Sequence, residues 1–166
     1  MTTAQAPTPA TLSWQRFHEL GRALAASAAA DGVPDVIVGV VRGGMMPAVL
    51  IAHQLGVRTV RAFDATHTID DSVNAPKLTV PAVRDVDSIG DLMGLDVLIV
   101  DDVAGSGMTA RVCVEHVGKA GAARVRTAVL VVNEANWDVA TPSERALNYI
   151  GHTTRQWVVF PWEGQP

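Results

Sequence analysis

The sequence has 166 residues, of which 48% are hydrophobic and 18% are charged. Globular domains most often have about 100 to 150 residues, so this length predicts one domain, and the hydrophobic content excludes intrinsic disorder for most of the chain. Thirteen Lys and Arg against seventeen Asp and Glu give a formal net charge of -4. Because nucleic-acid affinity depends on clustered cations and the sequence has no basic cluster, we do not expect a nucleic-acid partner.

Membrane attachment and secretion are not expected either. The longest uncharged apolar stretch, residues 43–57, contains Pro47, His53 and Gln54 and is shorter than the roughly 20 residues that cross a bilayer. The first eleven residues lack the basic and apolar regions of a signal peptide, and a single cysteine, Cys113, cannot form an internal disulfide. These features predict a cytoplasmic protein with no membrane partner.

The predicted elements begin with a tail and a helix. Residues 1–12 are small, polar and proline-containing, which predicts a flexible tail, and residues 13–166 are expected to form the single domain. Apolar residues recur at helical spacing from Trp14 to Leu24, with Ser13 placed to cap the helix. This pattern predicts a surface helix with one buried face.

Buried strands alternate with helices in the rest of the chain. Three β-branched apolar runs, residues 36–41, 97–100 and 127–132, are typical of strands buried on both faces of a parallel sheet. Helical stretches at about 46–55 and 108–120 lie between them. This alternation predicts an α/β fold with a central, mostly parallel sheet flanked by helices.

Residues 64–91 interrupt the alternation, because they are rich in Asp, Ser, Asn and Pro and contain few apolar residues. A long segment of this kind inside a compact domain is typically a functional lid or a disordered loop. We therefore predict a flexible lid loop there.

The most informative stretch, residues 97–109, joins a buried strand to a helix through two acidic residues and a loop of small residues. Ligands bind beyond the carboxyl ends of strands in α/β sheets, and backbone N–H groups at a helix N-terminus bind anions. Gly105 and Gly107 permit close approach, while Ser106 and Thr109 add hydroxyl donors. The pattern predicts a phosphate site.

Asp101 and Asp102 directly precede this loop. Two carboxylates at this point suit the two hydroxyls of a ribose, or Mg²⁺, whose preferred ligands are oxygens. The sequence thus predicts a site that binds the phosphate and the sugar of a phosphosugar side by side.

This stretch resembles the signature of the type I phosphoribosyltransferases, which is an apolar strand, two acidic residues, a short loop with Thr-Gly or Ser-Gly and a following Thr. Residues 40–47, Val-Val-Arg-Gly-Gly-Met-Met-Pro, look like the pyrophosphate loop of that family. Residues 156–163, Gln-Trp-Val-Val-Phe-Pro-Trp-Glu, are similar to the C-terminal hood of its xanthine, guanine and hypoxanthine members. The resemblance covers residues 13–163, with the hood at about 133–163.

The resemblance implies a type I phosphoribosyltransferase fold and a transfer reaction. A ring nitrogen of a purine-type base displaces pyrophosphate from phosphoribosyl pyrophosphate (PRPP), which gives a nucleoside 5′-monophosphate. The family also implies Mg²⁺ as cofactor and a homodimer or homotetramer. By the same resemblance, the catalytic residues would be Arg42, Asp101, Asp102 and Lys77, with Lys77 as a lid cation and the two aspartates as metal ligands.

The binding residues carried over from the family form two sets. Those that would bind PRPP are Arg42, Gly43, Gly44, Asp101, Asp102, Ala104, Gly105, Ser106, Gly107, Met108 and Thr109. Those that would bind the base are Asn133, Trp157, Val158 and Gly105, with the Trp157 ring stacking on the base and the Val158 backbone meeting its edge.

Three positions depart from the purine-salvage pattern. Gly105 stands where an Asp usually bonds N7 of the purine, Asn133 where a Lys usually reaches the 6-oxygen, and Thr66-His67 where the lid usually has Ser-Tyr. The glycine is either neutral, as in some adenine-type relatives, or opens space for a 7-substituted or 7-deazapurine. The missing Asp and Lys also leave a second function open, a PRPP-binding regulatory protein with little catalysis.

Overall fold

Helices and strands alternate along the chain in the computed structural model, which describes residues 9–69 and 76–164. The helices are α1 (Trp14–Ala30), α2 (Met45–Leu55), α3 (Met108–Lys119) and α4 (Ser143–Ala146), with a 3-10 turn at Val86–Ile89. The strands are β1 (Ala10–Thr11), β2 (Val36–Val41), β3 (Val60–Thr68), β4 (Lys77–Arg84), β5 (Asp96–Ala104), β6 (Arg124–Asn133), β7 (Tyr149–Thr154) and β8 (Val158–Val159).

A six-stranded sheet in the order β4-β3-β2-β5-β6-β7 forms the centre of the fold. Neighbouring strands are parallel except β3 and β4, which are antiparallel. The three predicted strands are β2, β5 and β6, so the predicted α/β fold with a mostly parallel sheet is confirmed. Strands β3 and β7 were not predicted, because their sequences mix polar and apolar residues, as partly exposed strands allow.

Helices on both faces of the sheet explain why its central strands are continuously apolar. Helices α1 and α2 cover one face, where Leu24, Ile51 and Ile37 belong to one buried cluster. Helix α3 covers the other face, where Val117 and Val38 belong to a second cluster. Successive residues of β2 therefore point into different apolar layers. No helix within residues 9–69 and 76–164 has the length and apolar character of a membrane span.

The prediction of a flexible tail over residues 1–12 is wrong for its last three residues. The Ala10 N–H donates to the Trp157 carbonyl at 2.8 Å and the Leu12 N–H donates to the Val159 carbonyl at 2.9 Å. These bonds belong to a parallel pair of short strands, β1 and β8, and the Leu12 side chain is buried. Residues 1–8 lie outside the described residues.

The segment predicted as a lid loop, residues 64–91, is mostly regular structure. Strands β3 and β4 form an antiparallel hairpin, here called the lid hairpin, with Asp64 opposite Arg84 and Thr68 opposite Lys77. The hairpin lies at the edge of the sheet, where strands need no continuous apolar run. Its polar composition therefore resembles that of a loop. Residues 70–75 lie outside the described residues, and the flexibility of the segment stays a prediction.

A buried arginine fastens the end of α1 to the amino ends of the central strands. The Arg126 guanidinium donates to both carboxylate oxygens of Asp96, at 3.1 and 2.8 Å, and to the Ala28 and Gly32 carbonyls at 3.0 and 2.9 Å. It also donates to the Tyr149 hydroxyl at 3.2 Å. Because Arg126 is only 2% exposed, each of these bonds replaces water that the guanidinium lost on folding.

We expect R126M to lower the free energy of unfolding by about 3 kcal/mol, because it leaves the Asp96 carboxylate without its main cation. Urea denaturation followed by circular dichroism measures this loss. As a control, R16A removes only an exposed i, i+3 ion pair with Glu19 and is expected to leave the midpoint unchanged. A midpoint for R126M equal to that of the parent protein would contradict the structural role of Arg126.

Candidate active site

Two loops meet where the adjacent parallel strands β2 and β5 reach their carboxyl ends. We call residues 42–44 the arginine loop and residues 104–109 the serine loop. The pairing of Gly39 with Val100 brings Arg42 and the two glycines after it beside the acidic residues of β5. The peptide bond between Val41 and Arg42 is cis. Both predicted loops therefore lie at one end of the sheet.

Glycine is required in the arginine loop because the backbone there touches β5 directly. A side chain at Gly43 would overlap the carboxylate of Asp102. A Cβ at Gly44 would lie 2.5 Å from the Val40 carbonyl and 2.8 Å from the Val100 carbonyl. The absence of both side chains lets the arginine loop and the acidic residues form one surface.

Asp101 and Asp102, the acid pair, carry carboxylates in an environment that disfavours negative charge. Burial raises the pKa of Asp101 well above its ordinary value, and the neighbouring Asp102 charge raises it further. Burial also raises the pKa of Asp102, and the Glu163 carboxylate of the hood adds to the effect. A ligand that brings hydroxyl donors or a cation relieves this cost.

Each carboxylate of the acid pair is bonded to the backbone and to the other carboxylate. Asp101 Oδ1 accepts from the Asp102 N–H at 2.9 Å, Asp102 Oδ1 accepts from the Val103 N–H at 2.8 Å, and a side-chain hydrogen bond joins the two carboxyl groups. Carboxylate oxygens are hard ligands that suit Mg²⁺. Among the described residues, no group of three or more His, Cys, Asp or Glu could hold a metal alone. A Mg²⁺ ion here would complete its coordination with oxygens of the substrate.

The serine loop is held tightly at the start of α3. Gly107 adopts a φ of +78°, and a Cβ there would lie 2.8 Å from both Trp137 and Val139. Ser106 is buried, and its hydroxyl oxygen accepts from the Met108 N–H at 3.3 Å. The loop therefore places backbone N–H groups and the hydroxyls of Ser106 and Thr109 near a helix N-terminus, a combination that suits an anion.

The lid hairpin lies over the serine loop. His67 Nδ1 is 2.9 Å from Ser106 Oγ, and His67 Nε2 is 2.8 Å from the Leu78 carbonyl oxygen. The Lys77 ammonium lies 4.0 Å from the point that a Cβ at Gly105 would occupy. The structure thus brings the predicted lid cation next to the predicted phosphate loop. No local pattern in the sequence indicated the contact between His67 and Ser106.

The predicted base-binding residues lie at the carboxyl end of β6 and in the hood. Asn133 is buried, its Oδ1 accepts from the Ala135 N–H at 3.1 Å, and its Nδ2 donates to the Gln156 carbonyl at 3.2 Å. One N–H of the amide remains for a ligand. Trp157 is half-buried, and Val158 begins strand β8. Asn133 therefore fixes the hood to β6, a role that its sequence position did not indicate.

Gly105 has two neighbours of different chemistry. Apart from residues next to it in the chain, the only described atoms within 4 Å of its Cβ position are Asn136 Cβ, at 3.7 Å, and the Lys77 ammonium. Its φ lies outside the left-handed region, so a side chain could adopt this backbone. A side-chain carbon of Asn136 and the Lys77 ammonium therefore border this position.

The chain matches the phosphoribosyl transferase domain family over residues 10–163. It belongs to that family. It is 30% identical to the xanthine-guanine phosphoribosyltransferase of Gluconobacter oxydans, over 100% of this chain and 93% of that protein. It is 31% identical to the enzyme of the same name from Roseobacter denitrificans, over 84% of this chain and 87% of that protein.

Solved structures of phosphoribosyltransferases share the fold. A purine phosphoribosyltransferase from Pyrococcus horikoshii superposes with a TM-score of 0.75 and 32% identity over 95% of both chains. A xanthine-guanine-hypoxanthine phosphoribosyltransferase from Helicobacter pylori superposes with a TM-score of 0.67 and 19% identity over 94% of both chains. The family and fold that the sequence motifs implied are therefore confirmed.

We expect D101N to stabilise the ligand-free protein while it weakens PRPP binding at least tenfold. The folded state raises the pKa of Asp101, so ionisation of this carboxyl costs folding free energy that is absent at low pH and grows as pH rises. The melting temperature should therefore rise by about 2 °C at pH 8 and by less at pH 5. Thermal unfolding at both pH values and calorimetric titration with PRPP measure the two effects.

Asp87 offers a matched control, because D87N makes the same change of Asp to Asn at a solvent-exposed position. D87N should leave the melting temperature and the affinity for PRPP unchanged. A lower melting temperature for D101N at pH 8, or an unchanged affinity for PRPP, would show that the acid pair is not a strained binding site.

Proposed function

We propose that the protein transfers the phosphoribosyl group of PRPP to a ring nitrogen of a purine base and releases pyrophosphate. The single observation that carries this proposal is the apposition of the arginine loop, the acid pair and the serine loop at one end of the sheet. These three features match the three parts of PRPP, which are a pyrophosphate, a ribose with two hydroxyls and a 5-phosphate. The family to which the chain belongs supports the same reaction.

Each feature has a part in the reaction. The serine loop binds the 5-phosphate through N–H groups and hydroxyls, and the acid pair accepts hydrogen bonds from the ribose hydroxyls. The Arg42 guanidinium and the Lys77 ammonium bind the pyrophosphate. Substrate and protein charges are then paired, and the anomeric carbon is held between the departing pyrophosphate and the incoming base.

The transfer exchanges one bond at the anomeric carbon for another. The bond to the pyrophosphate oxygen breaks and its electron pair leaves with pyrophosphate, while the lone pair of the base nitrogen forms the new bond. The proton of that nitrogen passes to solvent. The two cations stabilise the charge that develops on pyrophosphate, and the acid pair favours the positive charge that develops on the ribose. When bound, Mg²⁺ supplies further neutralisation of the phosphate oxygens.

We propose a 6-oxopurine, or a 7-substituted or 7-deaza analogue of one, as the base. The relatives from Gluconobacter and Roseobacter are named for xanthine and guanine, which supports a 6-oxopurine. The surroundings of Gly105 support the analogue, since neither the Asn136 side-chain carbon nor the Lys77 ammonium that border its Cβ position repels a substituent or a carbon at position 7 as a carboxylate would. The alternative is that the glycine is neutral and ordinary purines serve.

An assay of pyrophosphate release with PRPP, Mg²⁺ and a panel of bases tests the proposal. We expect turnover with at least one of hypoxanthine, guanine, xanthine or a 7-substituted 7-deazapurine, and none when the base is omitted. If Gly105 sets specificity, the 7-substituted base gives the highest kcat/KM, and G105D lowers that value at least tenfold while sparing the ordinary purine. A higher kcat/KM for the ordinary purine would show that the glycine is neutral.

The same assay separates the enzyme from a PRPP-binding regulatory protein. That second function is favoured by one observation, that the Asn133 amide is bonded within the chain at a position where relatives present a Lys to the base. Binding of PRPP without release of pyrophosphate for any base would support it. Failure to bind PRPP would contradict both functions.

A further inference from the structure

His67 connects two segments that are far apart in sequence. It lies in β3 of the lid hairpin, opposite β4, at the point where the register between the two strands shifts. One ring nitrogen contacts the Leu78 carbonyl of the hairpin, and the other contacts the Ser106 hydroxyl of the serine loop. The imidazole is therefore a hydrogen-bonded link between hairpin and loop.

The chemistry of the two partners fixes the direction of both hydrogen bonds in a neutral ring. A carbonyl oxygen only accepts, so His67 Nε2 carries the hydrogen and donates to Leu78. His67 Nδ1 is then an acceptor, and the Ser106 hydroxyl donates to it. The Ser106 oxygen also accepts from the Met108 N–H. The single hydrogen of the Ser106 hydroxyl is thus directed at the lid hairpin.

We propose that His67 is a positioning residue for phosphate binding. Its imidazole competes with a phosphomonoester for the Ser106 hydroxyl and so couples the lid hairpin to the serine loop. Phosphate oxygens at neutral pH accept hydrogen bonds, so a phosphate in the loop uses Ser106 only by taking the hydroxyl hydrogen from His67. The Ser106 hydroxyl has one hydrogen, so it cannot donate to the phosphate and to His67 at the same time.

Competition for the Ser106 hydroxyl affects both the lid hairpin and the affinity for phosphate. The hairpin loses one of its attachments to the serine loop when the phosphate binds, which frees the segment that carries Lys77 to adjust to the pyrophosphate. Binding of the phosphate also includes the cost of breaking the bond between His67 and Ser106. Removing the His67 acceptor should therefore tighten phosphate binding, whereas a merely structural His67 would weaken it on removal.

Two variants of His67 separate its two contacts. In H67Q the terminal amide nitrogen can still donate to the Leu78 carbonyl, but no acceptor remains at the position of Nδ1. In H67N the side-chain oxygen stands near the position of Nδ1 and can still accept from Ser106. We expect H67Q to bind ribose 5-phosphate about fivefold more tightly than the parent protein, and H67N to bind it with unchanged affinity.

Calorimetric titration of ribose 5-phosphate into the parent protein, H67Q, H67N, S106A and the double variant H67Q/S106A measures these affinities. The gain from H67Q should disappear in the S106A background, because its cause is the Ser106 hydroxyl. Amide hydrogen exchange adds a second readout. Ribose 5-phosphate should increase exchange in the β3–β4 hairpin of the parent protein and have little effect there in H67Q.

Equal or weaker binding by H67Q, or the same gain in the S106A background, would overturn the coupling. The inference rests on the proposed use of the serine loop as the phosphate site. If the parent protein does not bind ribose 5-phosphate, the coupling fails, and the pyrophosphate-release assay tests the proposed function separately. If it binds and H67Q brings no gain, only the coupling fails.

Discussion

The contact between the Gly43 backbone and the Asp102 carboxylate is the constraint on which the site depends. Strands β2 and β5 are neighbours in register, so whatever follows one strand lies beside whatever follows the other. A side chain at Gly43 would overlap the acid pair, and one at Gly44 would overlap the β2 and β5 carbonyls. The two adjacent glycines thus let the arginine loop and the acid pair form one continuous surface. Opposite charges on that surface suit a ligand that carries both hydroxyls and phosphates.

Stability and function are separated along the strands of the sheet. At the amino ends, the guanidinium of Arg126 is buried with a full set of acceptors and holds α1 to the sheet. At the carboxyl ends, burial raises the pKa values of the acid pair, so the ionised carboxylates lower the stability of the folded protein. At this end of the sheet, the lid hairpin lies next to the serine loop through His67 and Lys77, and the hood lies next to it through Trp137. The end of the sheet that Arg126 stabilises is thus opposite the end where ionisation of the acid pair is disfavoured.

The sequence predicted the parts of the molecule whose signals are local. The β-branched runs identified the central strands because a strand buried on both faces has no polar positions. The acid pair and both loops were recognisable because short segments carry all of their residues. The polar residues of the antiparallel hairpin are compatible with a loop as well as with an edge strand, so their pattern does not distinguish the two. Three hydrogen bonds join residues distant in sequence: Ala10 to Trp157, Asn133 to Gln156, and Ser106 to His67. Their residue types alone do not reveal such partners.

A crystal structure of the protein with Mg²⁺ and PRPP tests the assignment of the active site most directly. We expect the 5-phosphate in the serine loop, the ribose hydroxyls on Asp101 and Asp102, and the pyrophosphate on the arginine loop. A PRPP molecule bound elsewhere, or bound with its 5-phosphate outside residues 104–109, would contradict the assignment of the active site.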